Sequence, residues 1–338
     1  MPLPFLALAA AIVAGATGVG AAANGINKMS NAKKKSEDAQ KRHNANIKRF
    51  ERENRATTRV MDDLGRLELA CIKSFGEFQD TIEKIQGEVT FGKIKIDGVQ
   101  LPKYDGAKLR EVFVGAGVLL GAAGGAGLGA LGGIAASGAT TAAVMALGTA
   151  GTGTAIASLS GIAATNATLA VLGGGTLAAG GGGVALGTTV LGAATLGVGL
   201  LVGGVIFNIT GSSLSEKADE AWKQMLAAEE KIDKTVRYLQ NLYKVSINYR
   251  EELEKVNTVY QDHLQKMKDL VNRQPNTNFW LDEDFEIVEN TELLVGILYR
   301  MCKVQLVIVN EHAETNRINQ QEIDEAKKEA RIVMHEVA

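Results

Sequence analysis

Cysteine, proline, histidine and aromatic residues are all scarce in this 338-residue chain, with two, four and four of the first three and an aromatic share of 5%. Two cysteines, Cys71 and Cys302, exclude a disulfide-stapled scaffold. Both fall on apolar positions of helical patterns and read as buried reduced thiols, compatible with a reducing compartment. The prolines are Pro2, Pro4, Pro102 and Pro275. Long stretches therefore carry no helix breaker. His43, His263, His312 and His335 are scattered through charged segments without metal-ligand spacing and read as surface helix residues. No base neighbours Cys71, no serine sits on a nucleophile elbow, and no Gly-Lys-Ser/Thr follows any glycine-rich stretch. The residues call for no catalytic group, no cofactor, no metal and no nucleic acid, and the chain does not read as an enzyme.

The largest deficit is of charge. From Val112 to Ser215 there is no Asp, Glu, Lys, Arg or His, although 22% of the whole chain is Asp, Glu, Lys or Arg. The same block holds 28 of the 39 glycines and no proline, and its only aromatics, Phe113 and Phe207, lie towards its ends. A glycine in a water-exposed helix costs about 1 kcal/mol relative to alanine. In hydrocarbon an unpaired backbone amide costs several kcal/mol, so helix is enforced and small residues let helix backbones approach closely. Gly117, Gly121, Gly125, Gly129 and Gly133 lie four apart on one helical face, an extended glycine zipper. Gly183 with Gly187, and Gly199 with Gly203, repeat it in shorter form. A low-complexity linker fits poorly, because "VFVGAGVLL" and "VLGAATLGVGLLVGGVIF" are too apolar for solvated chain.

At roughly 20 residues per span the block accommodates four spans, Val112–Ile134, Thr140–Leu159, Ile162–Ala179 and Val184–Phe207. Two spans with a loop at membrane depth is the competing count. Either even number puts the flanking arms on one side, cytoplasmic if the lysines obey the positive-inside bias. Thr140, Thr141, Thr149, Thr152, Thr154, Ser158, Ser160, Asn166 and Thr168 are the candidate polar lining, or equally hydrogen-bonding glue between helices.

A second uncharged run, residues 3–24, is of about spanning length. It reads as a membrane anchor, as a helix packed on the central block, or as a cleaved signal. Against the last stands the absence of a positive segment before it; the charge follows, in Lys28 and Lys33–Lys35. The segments in order are an apolar N-terminal segment (1–27), a coiled-coil helix (28–86), a small β-hairpin and connector (87–111), the glycine-zipper domain (112–215) and a C-terminal helical bundle (216–338). In the first arm Val60, Leu64, Leu67, Cys71, Phe75, Phe78, Ile82 and Ile85 form a heptad stripe, after a polar stretch that either bridges through solvent or pairs with another subunit. "KIKIDGVQL" alternates around Asp97-Gly98 and predicts a two-stranded hairpin. Ile232, Val236, Leu239, Tyr243, Leu253, Val256, Tyr260, Leu264, Met267 and Val271 continue the heptads in the second arm, interrupted by Ser246 and Arg250. Ser213 and Glu216 suggest a capping box, "RQPNTNFW" a turn, and Asp284–Asn310 and Asn316–Val337 two more helices, with Arg300 and Lys303 snorkelling from a bundle helix. The basic residues Lys33–Lys35, Lys41, Arg42, Lys48 and Arg49 are interleaved with Glu37, Asp38 and Glu51, so a solvated face competes with a lipid-headgroup contact.

The run from Met145 to Trp222, with "SFGEFQDTIEKIQ" and "LPKYDG" outside it, resembles a set of uncharacterised bacterial glycine-zipper membrane proteins. The resemblance implies membrane association. Helical arms around an apolar hairpin are also similar in layout to α-helical pore-forming toxins and apolipoprotein L proteins. Expected, then, is a mainly α protein: long helical-bundle or coiled-coil arms flanking a membrane-embedded helical hairpin region, with one small β-hairpin. Two functions compete. In one, the block inserts and homo-oligomerises through its zippers to form a pore or perturb a bilayer, as a toxin or defence effector would, with a soluble state that shelters the block inside the arms. In the other, a constitutively membrane-anchored coiled-coil scaffold organises partner proteins. The membrane concerned is the bacterial inner membrane or a target membrane.

Overall fold

The computed structural model describes residues 22–89, 96, 99, 101, 105–123, 214–308 and 317–338. The described chain is mainly helical. Its elements are α1 (Ala22–Ile82), α2 (Gly106–Ala123), α3 (Leu214–Arg273), a 3-10 turn (Thr277–Phe279), α4 (Asp282–Cys302), β1 (Val307–Ile308), β2 (Arg317–Ile318) and α5 (Gln320–Glu336). Two compact units are built from them. The first combines α1 up to Glu51 with α3 up to Lys234; the second takes α1 from Arg52, α3 from Thr235, and α2, α4, α5 and the strands.

In the first unit α1 and α3 run parallel, because their cross-links climb both helices together: Lys35 to Asp219, Arg42 to Glu229 at 2.8 Å, and Arg49 to Asp233. Between them lies a seam of small residues, Ala32, Ser36 and Ala39 on α1 and Ala218, Ala221 and Ala228 on α3, spaced three, four or seven apart and all buried. Small side chains let the backbones approach, and the ion pairs border the seam from every seventh residue of α1. The polar half of the first arm thus pairs with α3 of its own chain, where the sequence offered solvent or another subunit. His43 also departs from its surface reading: it is buried in the α1 stripe at 6% exposure. Because the helices are parallel, their first turns lie at one end of the unit. The uncharged runs that precede Ala22 and Leu214 therefore join this unit at the same end.

The second unit is a bundle. Thr57 donates to the Leu239 carbonyl (3.1 Å) and Tyr260 to the Ser74 carbonyl (3.2 Å), so α1 and α3 are parallel here too. Tyr249 meets Met301 and Arg273 meets Asp284, which sets α4 antiparallel to α3. The apolar stripe of α1 is Met61, Leu64, Glu68, Cys71, Phe75 and Phe78, fully buried. It departs from the expected stripe by one residue at three places: Val60, Leu67 and Ile82 are only half-buried, while Met61, Glu68 and Thr81 take the buried positions; Ile85, past the end of α1, is half-buried too. On α3 the stripe runs without interruption through Leu239, Leu242, Ser246, Tyr249, Leu253, Val256 and Tyr260. Leu242 and Tyr249 fill it, leaving Tyr243 and Arg250 half-buried. Ser246 fits because its hydroxyl bonds the Leu242 carbonyl at 2.7 Å and faces the Met61 sulfur at 2.9 Å. Phe75 and Tyr260 meet edge to face, centroids 6.0 Å apart.

The end of α1 is tied to the end of α3. Gln86 donates to the Pro275 carbonyl (2.7 Å) and accepts from Thr277 (2.9 Å). Gly87 turns the chain away at φ +127°, a backbone conformation that side chains rarely adopt, and a Cβ there would collide with Thr277. The "RQPNTNFW" turn holds the 3-10 turn capped by Asn276, and the Trp280 indole donates to the Gln274 carbonyl at 2.7 Å. Asp282, Glu283 and Asp284 favour the N-terminus of α4, and Asp284 accepts from the Leu281 N–H.

Two expected helices are shorter than their sequence windows. The helix expected over Asp284–Asn310 ends at Cys302, and Val307–Ile308 pairs antiparallel with Arg317–Ile318, where the second helix was expected to start. The run Val304-Gln-Leu-Val-Ile-Val is rich in β-branched residues, which favour strand over helix. This is the one sheet among the described residues. Of the hairpin expected around Asp97-Gly98, only a Val99 N–H to Ile96 carbonyl bond of 3.1 Å, between the residues flanking that dipeptide, is described; its strands lie outside the described residues. Arg300 does not snorkel: it pairs with Glu322 (3.3 Å) and Glu329 (3.2 Å) of α5.

Candidate functional site

The first two glycines of the expected zipper, Gly117 and Gly121, lie on α2. Asp105 caps this helix: its carboxylate accepts from the Lys108 N–H (3.1 Å) and its carbonyl from Leu109 (2.8 Å). Leu109, Val112, Ala116 and Leu119 form the buried face of α2, and Phe113 rests on Gly76 of α1, where a Cβ would lie 3.3 Å from its ring. Arg110 reaches Glu83 at 3.4 Å, so α2 runs antiparallel to α1. The zipper glycines lie elsewhere on the helix. Gly121 is exposed and Gly117 half-exposed, and a Cβ at either would meet no atom of the described residues within 4 Å. Val114, on the same side, is 39% exposed. The face that carries Gly117 and Gly121 is thus not the buried face of α2.

Gly125, Gly129, Gly133, Gly183, Gly187, Gly199 and Gly203 lie outside the described residues, as do Thr140, Thr141, Thr149, Thr152, Thr154, Ser158, Ser160, Asn166 and Thr168, the Ser213 cap and nearly all of the 3–24 run. Among the described residues no helix is long and apolar enough to cross a membrane. The described part of the first expected span is Val112–Ala123.

The basic cluster has been put to structural use. Lys35, Arg42 and Arg49 form the ion-pair ladder to α3, and Arg42 also lies over the Trp222 ring at 5.9 Å. Lys34 and Lys35 share an open cleft with Asn31, Asp38 and Trp222, whose mixed charge selects no ligand class. Among the described residues no group of three His, Cys, Asp or Glu side chains is placed to hold a metal.

Sequence reasoning missed one residue. Glu68 is fully buried in the stripe of the second unit, and neither carboxyl oxygen has a hydrogen-bond partner among the described residues. Burial pushes its carboxyl well above the ordinary value. Cys71 and Cys302 are both free and buried, and the Cys302 thiol donates to the Glu68 carbonyl at 3.7 Å. Burial raises both thiols, with Glu68 adding to the effect, so neither is a ready nucleophile. The Tyr249 hydroxyl donates to the Met301 carbonyl at 2.8 Å, and burial raises it also. The signal that could have found Glu68 is its register: 61, 64, 68, 71, 75 and 78 keep three- and four-residue steps through it.

The chain matches no family model, no curated protein and no solved structure.

Proposed function

We propose that the chain inserts its uncharged block into a lipid bilayer and homo-oligomerises there through the glycine zipper, forming a pore or disturbing the bilayer. The observation that carries this reading is the open face of α2. Gly117 and Gly121 belong to the five-glycine register, yet they point away from the bundle's packing face and leave room for another backbone. In water such a face has nothing to gain. In lipid it offers close van der Waals contact to a second helix. Further support comes from the first unit, where the 3–24 run and the end of the block join parallel helices at the same end, with Lys28, Lys33 and Lys34 following. A bilayer met at that end would take both runs together.

The scaffold alternative rests on heptad arms longer than an anchor requires. Their faces are engaged with one another within the chain, through the alanine seam and the Met61–Phe78 stripe, and no specific observation favours that reading. The test is dye release from liposomes by the full-length protein, with oligomer size followed in parallel. Release that rises with protein concentration and falls, together with oligomer size, in Gly117→Leu/Gly121→Leu supports the proposal. That variant suits the purpose because both positions have open space and leucine favours helix more than glycine does. Stable insertion without release or oligomers would contradict it.

A further inference from the structure

Glu68 occupies a core position of a heptad stripe, between Leu64 and Cys71 one turn to either side, at 0% exposure. An ionised carboxylate there would need a cation or several donors. The described residues supply neither: both carboxyl oxygens lack a hydrogen-bond partner, and none of the unit's ion pairs includes Glu68. The titratable groups that face it come from each helix packed around it, Cys71 on α1 itself, Tyr249 on α3 and Cys302 on α4. All three are neutral acids, so ionising any of them would only oppose a charge on Glu68. Arg300 of α4 and Glu322 of α5 act on the Tyr249 phenol and are engaged with each other at 3.3 Å. The core therefore accepts Glu68 only with its proton.

We infer that Glu68 is a proton-held latch of the second unit: protonated, it completes the α1–α3–α4 core, and on losing its proton it drives that unit to open and release α2. The link to α2 is direct in the fold, since α2 docks on the same helix through Phe113 at Gly76 and Arg110 at Glu83. The sign follows from linkage. A carboxyl whose folded value is raised binds its proton more tightly folded than unfolded, so its stabilising contribution is fully present below 4.5 and is lost as pH rises towards the folded value. Acid closes the latch and rising pH loosens it, by up to about tenfold in the open-to-closed ratio per pH unit. The inference concerns the arm alone and does not depend on insertion into a bilayer.

The test is amide hydrogen exchange of the full-length chain between pH 5 and 8, corrected for the chemical exchange rate, in wild type and Glu68→Gln. Expected is an opening ratio for peptides of α4 and of α1 beyond Arg52 that climbs with pH in wild type and is flat in Glu68→Gln, with peptides 106–119 following. Peptides of the first unit should lack this rise. Equal pH slopes in wild type and variant, or the same rise in both units, would overturn the inference. If Glu68→Gln fails to fold, Glu68→Met serves the same comparison. The infrared carbonyl stretch gives an independent reading: wild type at pH 6 should show a protonated carboxyl band that Glu68→Met lacks, and identical spectra would overturn the latch.

Discussion

Removing the Tyr249 hydroxyl separates the value of a hydrogen bond from the cost of an orphaned partner. Tyr249 is fully buried and donates to the Met301 carbonyl at 2.8 Å in the last turn of α4. A buried acceptor left bare costs about 1–3 kcal/mol, whereas a bond whose loss strands no group is worth about 0.5–1.5 kcal/mol. The second case applies here. The Met301 carbonyl also accepts from Val304 at 3.1 Å, so Tyr249→Phe removes the donor without leaving the carbonyl empty. The expected loss is about 1 kcal/mol, roughly a fivefold shift of the unfolding equilibrium. Tyr249→Ala should cost about 3–5 kcal/mol, because it empties a ring-sized volume in the core. Urea unfolding followed by Trp280 fluorescence reads this unit, in a Trp222→Phe background that silences the tryptophan of the other. A loss above about 2 kcal/mol for Tyr249→Phe would refute the reasoning by showing the carbonyl to be stranded. No loss at all would show the bond to be without value.

Gly87→Ala places a side chain at φ +127° against Thr277 and should destabilise by at least about 1–2 kcal/mol, seen as faster exchange of the Thr277 amide that Gln86 holds. Arg300→Met leaves the partly buried Glu322 and Glu329 without their shared cation; a loss of about 1–3 kcal/mol is expected in urea unfolding, partly recovered by adding Glu329→Gln. His43 responds to pH in the opposite sense from Glu68. Burial lowers the imidazole below its ordinary 6.5, so the stability it contributes is present above that value and is lost as pH falls through the lowered one. Peptides of the first unit should therefore open as pH drops from 7 to 5, and His43→Ala should remove that acid response.

The helices were legible in the sequence because long proline-free stretches carry apolar residues at three- and four-residue steps, and the α3 stripe from Leu253 to Met267 lies where that rule puts it. Register was less legible. Leu67 looks apolar and Glu68 charged, so periodicity counted by residue type favours the wrong neighbour; both lie three or four residues from Leu64 and Cys71, but only Glu68 keeps the strict 3-4-3-4-3 alternation from Met61 to Phe78, which Leu67 breaks with two four-residue steps in a row. Ser246 was read as a break for the same reason, although a serine that bonds the carbonyl one turn back carries its own satisfaction into a core. The end of α4 was missed because an apolar run beyond Cys302 fits helix and strand alike until β-branching is weighed. Which partner the polar half of α1 takes was not legible at all: alanines at 32 and 39 are weak signals until Ala218, Ala221 and Ala228 are set opposite them. Gly117 and Gly121 stand out in the sequence as members of a four-residue glycine register. That these two lie away from the packing face of α2 required the fold.

The central claim, that the uncharged block is a bilayer segment, is tested most directly by flotation of the full-length chain with liposomes, followed by an alkaline carbonate wash. The account predicts that the protein floats with the lipid and stays there after the wash, as an inserted segment without a charge over Val112–Ser215 should. Release by the wash, or failure to float at all, would contradict it.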